Sequence, residues 1–570
     1  MPCKWIPRFD EAVPADVEKM AEQLNITPLL AEILWSRGLH STEAMDRFLS
    51  PRLEHLAHPS TIPGLEDAAN ALAQGIAEGR SVAVWGDYDV DGITSSTVVK
   101  EFFAARGIKI QHHLPNRLEE GYGMNVPGVE ELARSGVSML LTVDCGITDF
   151  EPIRRAKELG MVVVVSDHHL PAEEYPVADA ICNPRLPGGE GGPYEALAGV
   201  GVAWMIMARL NSLLPGERMD MRSLLDLVAL GTIADVVPLS GQNRILVKNG
   251  LLKIKEANRP GLAALKTVSN FDRYAELGAG QIGFHLAPRI NAAGRLGSPE
   301  KGLELLTADT YEAALPIATE LDAVNAERRK TEQEITEEAM RQAHSMLDHR
   351  GFVLFAEHWH SGIVGIVASR IVERFYRPCL LVTQDPETGL LKGSGRSIDE
   401  FDLHGGLCEL EDLLEGFGGH RQAAGMSLKR ENLDELRKRF DAIVAREVGE
   451  KPLAPRLKVD RELAFPEITH TLLRELDLLQ PFGIGNPEPV FTSEPVVVQD
   501  YRRFGREREH VKLVLRDDKT GACLPAKAWR KAESLHHSSQ NSVMSFAFTP
   551  KIDRFDGIPR IEMNVKDWNE

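Results

Sequence analysis

The sequence predicts a multidomain α/β protein: a parallel-sheet domain, a long connecting helix, a smaller α/β domain and a C-terminal β-barrel. Three observations carry this. Wholly apolar runs alternate with helical patterns from Ser81 to about Pro184. An amphipathic pattern of about thirty residues follows Pro316. Five short strand-like runs with polar turns fill the stretch from Val496 to Val565.

The first region reads as Ser81–Trp85 (strand), Thr94–Arg106 (helix), Ile108–Leu114 (strand) and Val126–Arg134 (helix), then Ser138–Val143 (strand), Phe150–Leu159 (helix) and Met161–Val165 (strand). This is the βαβ rhythm of a parallel sheet, and strands apolar throughout are strands buried on both faces. Residues from 195 to about 300 look mostly helical. After Pro316, Ile317, Leu321, Val324, Thr331, Ile335, Ala339, Ala343 and Leu347 recur at helical spacing, with few apolar residues between Asn325 and Glu334. A solvated surface helix would show this pattern, but a connector between two domains better explains its length. A second α/β unit opens at Phe352–Phe355, continues through a helix over Gly362–Arg374 and a strand at Cys379–Thr383, and closes with the glycine-rich Gly416–Met426 and a charged helix to Val448. Glu450–Pro455 reads as a linker. The five final runs suggest an OB-fold. The expected domains are an extension over 1–50, the parallel-sheet domain over 51–315, the helix over 316–349, the second α/β domain over 350–450 and the barrel over 456–570.

A chain of 570 residues is too long for one core. With 43% hydrophobic and 26% charged residues, its composition is that of a globular protein. No run approaches the ~20 apolar residues of a spanning helix, and the N-terminus lacks a signal-peptide core. A cytoplasmic location is therefore expected. The six cysteines include no CxxC pair, which argues against a zinc ribbon or a redox motif. A net charge of −19 is unfavourable to a polyanion, so any nucleic-acid surface must gather its basic residues locally.

Four motifs carry chemistry. Gly86-Asp87-Tyr88-Asp89-Val90-Asp91-Gly92 follows one strand and precedes a helix. Three carboxylates this close repel one another, and a cation resolves the conflict. The spacing also opens an EF-hand loop, but Val98 stands where that loop needs glutamate. Asp144 follows a second strand, Asp167-His168-His169 a third, and Asp235 lies in Ala229–Pro238. Each alone has a bland reading, such as a helix cap or a chance tripeptide. Together, three strand ends would present Asp87, Asp89, Asp91, Asp144, His168 and His169 to one edge of a sheet. Mixed carboxylate and imidazole ligands suit Mn²⁺ or Mg²⁺, and their number exceeds the needs of one ion. Arg289, Arg295, Ser394 and Arg396 lie in glycine-rich contexts where guanidinium forks could hold phosphate, or could simply pair with acids. Basic and aromatic residues interleave over Tyr501–Lys512, a pattern suited to a single strand, although Glu507 and Glu509 dilute it.

The motifs GDYDVDGITS, TVDCGIT, SDHH, ALGTIADVVPL, PRINAAGRLG, GIVGIVASR, GSGRS and GGHRQAAGM, in this order, resemble the DHH phosphoesterase superfamily, most closely its RecJ branch. The resemblance runs from about Val82 to the C-terminus. It implies a 5′→3′ exonuclease specific for single-stranded DNA, using two ions of Mn²⁺ or Mg²⁺. Asp89 and Asp144 would hold one ion, with Asp87 nearby. Asp91, Asp144, His168 and Asp235 would hold the other. Asp167 would orient the His168 ring, and His169 would stabilise the transition state or donate a proton. Arg117, Ser394 and Arg396, with Arg289 or Arg295, would cradle a 5′-phosphate, and His420 would contact the nucleotide. The resemblance also implies a monomer in recombination and repair, with a single-stranded-DNA-binding protein and a DNA helicase as partners. Two rivals remain. A short-oligonucleotide phosphodiesterase would not need the barrel, and an inactive scaffold would not keep every acid.

Overall fold

The computed structural model describes residues 3–9, 12–117, 120–449, 453–535, 540–553 and 558–569. The chain divides into two compact units. Residues 53–453 with 483–485 form the larger, and residues 1–52, 454–482 and 486–570 form the smaller.

The larger unit opens with helix α1 (Leu65–Ala77) and five strands: β1 (Val82–Gly86), β2 (Gln111–His113), β3 (Met139–Val143), β4 (Val162–Ser166) and β5 (Ala180–Cys182). All pair in parallel, in the order β2-β1-β3-β4-β5. Helices α2 (Val90–Ala105), α3 (Val126–Arg134) and α4 (Phe150–Glu158) make the crossovers. β1 and β3 are buried along their whole length, and each large apolar side chain so buried contributes roughly 1.5–3 kcal/mol. The strand expected over Ile108–Leu114 is shorter, because Ile108 to Ile110 only approach the sheet. The chain leaves β1 toward β2 on one side and returns to β3 on the other. Sheets of this order bind ligands where the direction switches, beyond the carboxyl ends of β1 and β3.

Helix α5 (Gly199–Leu213) packs on this sheet, α6 (Leu225–Ala234) packs on α2 and α5, and α7 (Ala287–Leu296) follows a π-helical turn over Ile282–Leu286. The long helix α8 runs from Tyr311 to His344. It starts five residues before the expected Pro316, because Thr310 caps it by accepting the Ala313 N–H at 3.2 Å. Pro316 lies inside the helix, where it forfeits the bond that an N–H would make to the Glu312 carbonyl. A second sheet follows, with β6 (Phe352–Phe355), β7 (Cys379–Gln384), β8 (Leu391–Arg396), β9 (Leu414–His420) and β10 (Ala423–Leu428) in the order β9-β10-β8-β7-β6. Helix α9 (Val364–Phe375) joins β6 to β7.

The smaller unit is built on a barrel of β11 (Val496–Phe504), β12 (His510–Arg516), β13 (Cys523–Ala528), β14 (Val543–Asp553) and β15 (Arg560–Asn569). The pairing runs β11-β12-β13-β15-β14 and closes from β14 back to β11. That closed five-stranded order, with β13 and β15 parallel, is the OB-fold expected. The N-terminal residues belong here too. Lys4–Pro7 pairs with Arg456–Val459, and Leu30, Ile33, Leu34 and Met45 share a core with Leu472, Phe491 and Leu513. The expected linker over 450–455 lies partly outside the described residues.

Candidate metal centre and anion cavity

The loop after β1 begins the site. Asp89 caps α2, accepting N–H bonds from Asp91 at 2.8 Å and Gly92 at 3.1 Å. Position 92 must be glycine, because a Cβ there would lie 2.4–2.5 Å from the Asp87 backbone. Asp91 is buried, and its carboxylate faces the first turn of α5, accepting N–H bonds from Gly199 at 2.6 Å and Val200 at 2.9 Å. A helix N-terminus suits an anion. Burial and the charge of Asp89 nonetheless outweigh those bonds and push the Asp91 pKa up to about 7.

Asp144 follows β3 in a left-handed backbone conformation (φ 62°), which aspartate tolerates better than most residues. Burial, then Asp91, Asp89 and Asp87, raise its pKa far above the carboxylate range. Asp235 ends α6, and burial with Asp91 and Asp89 lifts it to about 9. The next residue, Val236, is left-handed at φ 62°, a strained backbone for a β-branched residue.

His168 follows β4. Its Nε2 stands 3.1 Å from Asp144 Oδ1, 3.6 Å from Asp235 Oδ2 and 3.9 Å from Asp91 Oδ2. Burial, then His169, pushes its pKa down to about 3, so the imidazole is neutral. A neutral ring is the form that binds metal. His168 Nε2, Asp87 Oδ1, Asp144 Oδ1 and Asp235 Oδ2 are buried without a hydrogen-bond partner. Buried polar atoms rarely stay unpaired. Ligand atoms of Asp87, Asp89 and Asp144 lie within 4.8 Å of one another, as do those of Asp91, His168 and Asp235. With Asp144 also beside His168, the donor set fits two neighbouring divalent cations.

One expectation is corrected. Asp167 orients the ring of His169, not that of His168. Its Oδ1 lies 2.8 Å from His169 Nδ1 and also accepts the His168 and His169 backbone N–H groups. The turn brings the second histidine back onto the aspartate, while the first reaches the strand-end acids. Burial lowers the His169 pKa, but the bond to Asp167 and the charges of Asp167, Asp235 and Asp89 outweigh it and hold it at about 9. Tyr122, which sequence reasoning missed, places its hydroxyl 3.2 Å from His169 Nδ1. Only an aromatic residue between two glycines marks it in the sequence.

A cavity of about 580 Å³ opens in the same unit. Arg117, Arg295, Ser394 and Arg396 line it together with the first residues of α9 and glycines of the β9–β10 hairpin. Arg396 donates to Ser394 Oγ at 3.2 Å and Arg295 to the Gly362 carbonyl at 2.7 Å. Arg117 lies over the Tyr88 ring at 5.2 Å. Burial, then Arg117 and Arg328, lowers the Arg295 pKa to about 10, and burial with Arg117 lowers that of Arg396. Among the described residues, no carboxylate lines the cavity. Gly365 lets α9 approach, since a Cβ would lie 2.8 Å from Ser394 Oγ.

Two predicted residues lie elsewhere. Arg289 is buried six residues before Arg295 on α7 and pairs with Asp322 of α8 at 2.9 Å. It pins two helices and does not line the cavity. His420 is exposed at the end of β9, where its Nδ1 accepts the Gln422 N–H at 3.2 Å. It shares a cross-strand row with Ala423 and Arg396 but lies outside the lining.

The fold and site define a class: a DHH–DHHA1 phosphoesterase carrying an OB barrel. Family models match as DHH family, N-terminal domain, over residues 81–232, DHHA1 domain over 348–446 and RecJ OB domain over 459–567. The chain is 36% identical to the single-stranded-DNA-specific exonuclease RecJ of Dickeya dadantii, over 95% of this chain and 96% of that protein. It is 35% identical to the Escherichia coli enzyme of the same name, over 93% and 94%. The crystal structure of Thermus thermophilus RecJ in complex with Mn²⁺ aligns over 100% of this chain and 79% of that one, with 31% identity and a TM-score of 0.84. The chain belongs to the RecJ family of single-stranded-DNA-specific exonucleases.

Proposed function

We propose that this chain hydrolyses single-stranded DNA from its 5′ end to mononucleotides, in recombination and repair. Asp87, Asp89 and Asp144 would hold one divalent cation, and Asp91, Asp144, His168 and Asp235 a second, Mn²⁺ or Mg²⁺. One observation carries the reading: a cluster of unpartnered buried carboxylate and imidazole atoms shares a unit with a cavity that, among the described residues, is lined by cations and no acid. Ions so held activate water and neutralise charge in an in-line displacement.

The chain's own residues do the rest. Arg117, Arg295, Ser394 and Arg396 receive the 5′-terminal phosphate, since guanidinium forks match its oxygens. The first internal phosphodiester then reaches the acids. Water adds to its phosphorus, and the bond to the 3′-oxygen of the terminal nucleotide breaks. Asp167 occupies His169 Nδ1, leaving Nε2 to protonate that oxygen. The shortened strand keeps the phosphate as its new 5′ end. His420, in the row of Arg396, contacts the strand beyond the anchor. On the barrel, Phe504, His510 and Trp529 have ring centroids 4.8–5.4 Å apart beside exposed Arg502, Arg506 and Arg508, which suits stacked bases and phosphates. The reading takes in the family-implied single-stranded-DNA-binding protein and helicase, a monomeric enzyme and a cytoplasmic location. Family membership supports these.

The test is a single strand labelled at either end, digested with Mn²⁺ beside an Asp144→Asn control. Early release of a 5′-labelled mononucleotide, lost in the variant, is expected. A ladder shortening from the 3′ end would overturn the polarity.

A further inference from the structure

The middle of α8 is the stretch whose scarcity of apolar residues suggested a solvated face. It is not solvated. The buried residues of α8 are Ala314, Ala318, Leu321, Asn325, Arg328, Glu332, Ile335, Ala339 and Ala343, one continuous stripe at helical spacing. Its first three belong to the core of the parallel-sheet domain, and its last three to the core containing β6 and α9. The three between are polar, with Asn325 2%, Arg328 9% and Glu332 2% exposed.

These residues form one ladder. Arg328 Nε donates to Asn325 Oδ1 at 3.2 Å, and its terminal nitrogen donates to Glu332 Oε2 at 2.6 Å. The other oxygen, Oε1, pairs with Arg370 of α9. One carboxylate therefore joins the connecting helix to the helix whose first residues wall the anion cavity. Arg295 also lines the cavity, close enough to feel the charge of Arg328 and bonded to Gly362, just ahead of α9.

Apolar side chains would stabilise a junction at least as well, since buried ion pairs add little net stability. What they add is geometry: two guanidiniums held by one carboxylate fix one arrangement of the helices. We infer that Glu332 is a positioning residue that, through Arg370 and Arg328, sets α9 against α7 and so fixes the cavity that receives the 5′-phosphate.

The inference rests on the proposed 5′-anchored exonuclease, and wild-type digestion of end-labelled strands tests that reading separately. The experiment compares Glu332→Ala, Arg370→Ala and the double variant of the full chain on 5′-phosphorylated and 5′-hydroxyl single strands with Mn²⁺. KM for the phosphorylated strand is expected to rise about tenfold in either single variant, with kcat within about threefold. The hydroxyl strand should change much less, and Mn²⁺ binding should match wild type. The double variant should lose little more than either single one, as for residues that act as a unit. Arg370 is half-exposed, so its variant keeps the test usable if Glu332→Ala does not fold. Equal losses on both strands, or a lower Tm with KM unchanged, would overturn the inference.

Discussion

The larger unit holds two regions that are opposites in charge. At the carboxyl ends of β1, β3 and β4, acids converge in excess of the one imidazolium beside them, His169, and burial and mutual repulsion raise the pKa values of Asp87, Asp91, Asp144 and Asp235. In the cavity, Arg117, Arg295 and Arg396 converge with no acid among the described lining residues, and burial with like charge lowers the pKa values of Arg295 and Arg396. Each region is at odds with itself, and each conflict is resolved by an ion of opposite sign: metal in one, phosphate in the other. Strain of this kind is what an active site retains for its ligands.

The comparison breaks most sharply at Asp144, whose ligand atoms serve both sets. Asp144→Asn keeps the left-handed backbone and removes the charge. Turnover should fall by about 10³-fold or more, a loss of roughly 4 kcal/mol, measured as nucleotide release under saturating Mn²⁺. In EDTA the same variant should melt higher than wild type, because it relieves repulsion. A lower Tm would show that Asp144 stabilises the fold itself. His169→Ala comes next, with kcat reduced on the order of 10²-fold. Because the ring's Nδ1 is committed to Asp167, Asp167→Asn should mimic much of that loss. If Asp167→Asn instead weakened Mn²⁺ binding with kcat intact, the assignment to His169 would fail.

The two regions were not equally legible in the sequence. The acids were, because a strand ending in aspartate declares its own geometry: once β1, β3 and β4 are read as parallel neighbours, Asp87, Asp89, Asp91, Asp144 and His168 must share an edge. The cavity draws instead on a loop, a helix, a strand and a helix N-terminus, from Arg117 to Arg396, and no periodicity links them. Arg289 and Arg295 illustrate the limit. They share one motif, yet six residues along α7 turn one toward Asp322 and the other toward Gly362. The connecting role of α8 was legible from its length, but its buried polar stripe was not, since Arg328 and Glu332 look solvated until Arg370 is placed beside them. The helices over 16–49 carried readable caps, such as Thr27-Pro28 and Ser41, but nothing in them indicates that they share the barrel's core.

On the cationic side the expected effects are smaller. Arg396→Ala should raise KM for a 5′-phosphorylated strand by roughly 10- to 100-fold, the worth of a charge-assisted hydrogen bond, and abolish discrimination against a 5′-hydroxyl end. Gly365→Ala should act in the same direction more weakly, because its methyl would press on Ser394 Oγ. A variant that weakened both ends equally would mean that the cavity holds something other than the terminal phosphate.

The smallest effect separates the two regions by pH. An acid whose folded pKa is raised costs nothing below its unfolded value near 4, destabilises progressively between that value and the folded one, and adds no further slope above it. The cost therefore accrues up to about 7 for Asp91 and up to about 9 for Asp235. His169, raised to about 9, stabilises the fold below its unfolded value and loses that contribution as pH rises through 9. His168, lowered to about 3, is neutral in folded and unfolded chains above about pH 7 and adds no slope there. From pH 6.5 to 9 Asp235 and His169 therefore act in one direction, and the Tm of the metal-free protein should fall. Arg295, lowered to about 10, adds little slope over this window. Mg²⁺ binds the deprotonated acids, so its stabilising increment should grow across the same window. Melting curves with EDTA and with Mg²⁺ give that increment directly, and an increment independent of pH would mean that the acids are already ionised without metal, removing the conflict on which the comparison rests.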